Sequence, residues 1–91
     1  MNTKIALESL SMDLKRVALG YYRGSDTMAK RFTEEALKRK KDVDMKEVKP
    51  YIEILLSSME DDLSQENTKH IAEDALMYST LFQNYCQKEF K

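Results

Sequence analysis

Between Thr3 and Tyr22 the apolar residues Leu7, Leu10, Leu14, Val17 and Tyr21 recur at spacings of three, four, three and four. That rhythm gathers them on one side of a helix. A strand, whose side chains alternate with a period of two, would scatter them over both faces. Ala6 and Ala18 widen the stripe. Ile5, Met12 and Leu19 recur every seven residues and, at about 100° per residue, fall nearly opposite it. One helix over 3–22 is therefore predicted to carry two apolar faces, of which one core can fill only the first.

The rest of the chain continues in the same idiom, with few of the residues that make tight hairpins or glycine-rich loops: two glycines and one proline in 91 residues. Gly24 accepts the left-handed backbone that closes helices, so the first helix should stop there and Ser25 or Asp26 should cap a second. In that second helix Met28, Ala29, Phe32, Ala36 and Leu37 define the apolar face, and the helix should end near Lys41 or Asp42. Asp44 and Glu47 have capping-box spacing, but Pro50 would then lie inside the helix, where it loses a hydrogen bond and clashes with the preceding turn. A short turn and a third helix starting near Pro50 fit better, with Val48, Ile52, Leu55, Leu56, Met59 and Leu63 buried. A last helix from Thr68 to about Lys88 should bury Ile71, Ala75, Tyr78, Leu81, Phe82, Tyr85 and Cys86.

These elements predict an all-α fold, a small antiparallel bundle of about four helices in one domain spanning 1–91. With 42% hydrophobic and 34% charged residues, the chain is apolar enough for a core. A chain this short has modest single-core stability, and self-association would add to it. The lone Cys86 cannot form an internal disulfide and the N-terminus lacks secretory features, which suits a cytoplasmic setting. No apolar run approaches the roughly 18 to 20 residues needed to span a membrane.

The net charge of −1 hides an asymmetry: 12 Lys or Arg against 8 Asp or Glu up to Pro50, and 3 against 8 thereafter. The four consecutive basic residues Lys38 to Lys41 sharpen it. With Arg31, the residues Lys38, Lys40 and Lys41 are the candidate phosphate contacts for a nucleic acid. Four consecutive helical residues nevertheless fan over about 300° and cannot all meet one duplex. Arg39 points toward the Met28 and Phe32 side, where its stem can lie on the core. Glu34 and Glu35 precede Lys38 and Arg39 by four residues, the order that stabilises helical ion pairs. Cations in a final turn also complement the helix terminus. The run reads first as a charge-paired helix end.

Motifs for chemistry are absent. Glu66, His70 and Asp74 share one side of the last helix, yet metal sites usually draw ligands from several elements, and the Glu-x-x-His spacing of di-iron bundles is missing. Cys86 sits on an apolar face, where a thiol packs as a small hydrophobe and its pKa rises. His70 is about 24 Å away along the same helix. The acidic residues Glu60, Asp61, Asp62 and Glu66 lack the alternation and central glycine of a calcium loop. The sequence thus predicts a non-enzymatic interaction or regulatory module without a cofactor. Its interface would comprise Ile5, Met12, Leu19 and Tyr22, with Met77 extending it, and the partner would be a second copy or another helix. The alternative reading is a nonspecific nucleic-acid-associated regulator.

Overall fold

The computed structural model describes residues 2–90 and, among them, four α-helices and no strand. They are α1 (Thr3–Tyr22), α2 (Asp26–Lys41), α3 (Pro50–Leu63) and α4 (Thr68–Glu89), with a 3-10 turn at Met45–Glu47. The fold is an all-α bundle measuring 35 × 20 × 19 Å. Four helix ends have an evident local cause, whereas Ser25 precedes α2 without a side-chain capping bond. Asn2 and Asn67 accept hydrogen bonds from the amides of Ile5 and His70, capping α1 and α4. Gly24 adopts φ 76°. This lets the Ser25 and Gly24 amides return to the carbonyls of Gly20 and Tyr21 at 2.8 and 3.1 Å, the paired bonds of a Schellman motif. Pro50 stands in the first turn of α3, where its missing N–H costs nothing.

α1 is the central helix, lying between α2 and α4. Leu7, Leu10, Leu14 and Val17 are fully enclosed in one cluster with Ile52, Leu56, Met59 and Phe82. Burying each such side chain contributes roughly 1.5–3 kcal/mol. Small residues set how closely α1 meets its flanking helices. A methyl group built on Gly20 would lie 2.9 Å from both the Cβ and the amide nitrogen of Ala29, so only glycine fits against α2 there. Toward α4, Ser11 Oγ donates to the Ser79 carbonyl at 2.8 Å while Ser79 Oγ donates to the Ser11 carbonyl at 2.7 Å. This reciprocal pair is buried. Cys86 Sγ lies 4.0 Å from the Lys4 carbonyl, so the register descends along α4 as it climbs along α1.

α3 is tied in by longer polar reaches. Tyr78 Oη donates to Asp62, and Gln65 Nε2 donates to Asp74 at 2.9 Å. Lys40 pairs with Glu60 and Lys49 with Glu89. The Lys49 amide at the start of α3 donates to Tyr85 Oη at 3.1 Å, and the Tyr85 ring meets Tyr51 and Phe90 edge-on, with centroids 5.9 and 5.7 Å away.

Leu55 and Leu81, both expected in buried stripes, are not buried: Leu55 of α3 is half-buried against the core, and Leu81 of α4 lies outside it. The buried face of α4 is centred on Ile71, Ala75, Tyr78 and Phe82, and Leu81 falls beyond its edge. Asp44 caps only the 3-10 turn, through Lys46 N. Glu47 does not complete a capping box and instead accepts from Thr3 Oγ1 at 2.8 Å, which pins the connection to the start of α1. Met28, Phe32 and Leu37 on α2 are only half-buried, leaving Ala29 and Ala36 as its buried residues.

Candidate interaction surface

The outer face of α1 remains open between α2 and α4. Ile5 is 49% exposed and Met12 55%, whereas the inner stripe of the same helix is sealed. Leu19 is half-buried. Met12 and Leu19 line a groove along the α1–α4 seam together with Glu8, Lys15, Arg16 and Gln83, and the serine pair forms its floor. Ile5 stands outside that groove. Tyr22, 56% exposed, sits instead beside Leu76, Met77, Thr80 and Leu81 of α4 in a second, shallower depression. The structure thus brings Met12 and Leu19 together and joins Tyr22 to Met77. Leu76 was missed from the sequence; its position opposite the Ile71, Ala75 and Phe82 side is the signal that marks it as outward-facing. Tyr51 and Ile54 on α3 are also exposed.

Charges around the groove are of both signs. Glu8 and Lys15 are exposed and make no ion pair among the described residues. Arg16 is engaged on the α2 side: its guanidinium lies 3.4 Å from Asp13 and 5.3 Å from the centre of the Phe32 ring. Asp13 is buried at the α1–α2 contact. Desolvation raises its carboxyl pKa, opposed by the nearby positive charges of Arg16 and Arg39 and reinforced by Glu35. Arg39 lays its stem inward as its position on α2 predicts, and its Nε is buried without a hydrogen-bond partner.

The basic run is largely committed to local pairs. Lys38 lies 3.8 Å from Glu35 and Arg39 3.9 Å from Asp42. These i,i+3 pairs replace the expected i,i+4 pairs Glu34–Lys38 and Glu35–Arg39. Lys40 crosses to Glu60 on α3, and that contact holds the Glu60 carboxyl below its ordinary range. Arg31 and Lys41 are exposed and unpaired among the described residues. The Arg31 guanidinium lies 6.0 Å from the centre of the Phe32 ring.

Nothing among the described residues assembles three His, Cys, Asp or Glu side chains into a metal-binding group. His70 is exposed, and Asp74 accepts from Gln65 instead of joining it. Cys86 is buried, which pushes its thiol pKa up to about 11, with the charge of Glu8 adding to the effect. Tyr78 is likewise pushed well above the ordinary phenol range by burial and by its hydrogen bond to Asp62. Burial thus favours the neutral thiol and the neutral phenol at these two positions. No helix among the described residues is long and apolar enough to cross a membrane. The sequence matches no family model, and it matches no curated protein and no solved structure.

Proposed function

We propose that this chain is a non-enzymatic helical interaction module of the cytoplasm that associates with itself through the outer face of α1, extended onto α4. The observation that carries the reading is the double character of α1. Its inner stripe is sealed between two flanking helices, yet Ile5, Met12 and Tyr22 are each about half exposed. Isolated exposed apolar residues are ordinary on a protein surface. Here Ile5, Met12 and Leu19 recur at heptad spacing on the most enclosed helix, and Tyr22 of the same helix adjoins Leu76, Met77 and Leu81 of α4, a grouping typical of interfaces rich in methionine and aromatic residues.

Sedimentation of the native chain beside an Ile5→Asp, Met12→Asp double variant tests this. The native chain should be oligomeric at micromolar to millimolar concentration and the variant monomeric with unchanged helicity. A native monomer across that range overturns the reading. A polyanion-binding role is the weaker alternative. It would rest on Arg31 and Lys41, since Lys38 and Lys40 face carboxylates. Lack of nucleic-acid binding at low salt would remove it.

A further inference from the structure

The geometry points to a specific partner and register for the open face of α1: a second copy of this chain, packed by a two-fold axis so that the two α1 helices run in opposite directions and cross at Met12. This inference rests on the self-association proposed above and adds its symmetry. The order of residues along the face supplies the argument. Ile5 and Leu19 lie seven positions before and after Met12, so an antiparallel copy sets Ile5 against Leu19 at each end of a contact about 21 Å long.

The charges obey the same symmetry. Glu8 and Lys15 both flank the stripe on the side of α4, where they share one groove with Met12 and Gln83. A two-fold axis in the contact plane, perpendicular to α1, keeps that edge against the same edge of the second copy. Glu8 then meets Lys15 of the second copy and Lys15 meets its Glu8, giving two opposite-charge contacts from one surface, as an isologous interface requires. Both side chains are exposed and have no ion pair within the described chain. A parallel arrangement would instead bring the α4-side edge against the α2-side edge and set Lys15 beside the Arg16 of the second copy.

Charge reversal separates this register from self-association in general. Glu8→Lys and Lys15→Glu, each alone, should weaken the dimer about tenfold in sedimentation, because either one turns both symmetry-related contacts repulsive. An equimolar mixture of the two single variants should associate as tightly as the native chain, since a mixed dimer again has opposite charges at both contacts. Both sites are exposed, so unchanged thermal melting of the diluted, monomeric variants serves as the folding control. If the native chain dimerises but neither single variant weakens it, or if the mixture is no tighter than its components, this register is overturned while self-association stands. If the native chain stays monomeric, both proposals fall.

Discussion

α1 and α3 are both amphipathic helices with a buried apolar stripe, but they are fixed in the bundle by different means. α1 is held at close range: Gly20 against Ala29, and the serine pair locking α1 to α4. α3 is held by side chains that reach across wider gaps, including Tyr78 to Asp62, Gln65 to Asp74 and Lys40 to Glu60. Close contacts between small residues fix the position of a helix because backbone cannot rotate out of the way, whereas a lysine or glutamine can follow a helix that shifts. α1 is therefore the rigid reference of the fold, which suits a helix whose outer face is proposed to mate with a second copy.

The largest test of that difference lies in the core. Leu14 is fully buried on α1, whereas Leu63 keeps slight exposure at the end of α3. Leu14→Ala should cost about 3–5 kcal/mol in urea unfolding and Leu63→Ala about 2 kcal/mol, because the rim can collapse or admit water and the centre cannot. Equal losses would mean that the two helices are equally constrained. Next in size is Gly20→Ala. Alanine is the better helix former by about 1 kcal/mol, but its methyl group would strike the backbone nitrogen and Cα of Ala29 at 2.9 and 3.0 Å. Overpacking of that kind costs about 1–3 kcal/mol, so a net loss of stability is expected. A stabilised variant would show that the α1–α2 hairpin opens readily.

Which parts of this architecture were legible in advance follows from which forces are local. The end of α1 and the start of α3 are written in Gly24 and Pro50, whose effects reach only a few residues. The buried stripe of α1 likewise follows from spacing alone. Contacts between distant residues leave no such mark. Lys40 finds Glu60 and Thr3 finds Glu47 only after the helices have docked. The exposure of Leu81 depends on the angle at which α4 lies on α1, which no periodicity specifies to within one residue. For the candidate surface, spacing singled out Ile5, Met12 and Leu19. That Met12 and Leu19 share a groove with the charges of Glu8 and Lys15 became visible only once α1 was found with its outer side open.

A smaller effect separates the two kinds of polar tie. Ser11→Ala should cost about 1 kcal/mol, the usual net value of a hydrogen bond made away from solvent, and the loss should be the same in low and high salt. Combining it with Ser79→Ala should cost less than the sum, because the two hydroxyls serve one reciprocal arrangement. Glu60→Gln should cost less than either serine change, and its effect should fade as salt is raised, since the Glu60 side chain is 55% exposed. A salt-independent loss at Glu60 would mean that the α2–α3 contact is as rigid as the α1–α4 seam.

The smallest expected effect concerns Asp13, the one carboxylate buried at the rigid α1–α2 contact, and it appears as a slope. Burial raises its pKa above the ordinary 3.8 in the folded chain, outweighing the attraction of Arg16 and Arg39. Well below pH 3.8 the carboxyl is protonated in both states and contributes no pH dependence. As pH rises past 3.8 the unfolded chain releases this proton first. The unfolded state is then favoured progressively until the folded carboxyl ionises too, so stability attributable to Asp13 falls as pH rises. Asp13→Asn removes that dependence. Plotted against pH, the stability of the variant relative to the native chain should be flat in acid, climb above pH 3.8 and then level off. Subtracting the two curves cancels other titrating groups, such as Glu60, whose lowered pKa acts in the opposite direction. If the difference instead declines as pH rises, the pairing of Asp13 with Arg16 outweighs its desolvation. The α1–α2 contact would then depend on charge as the attachment of α3 does.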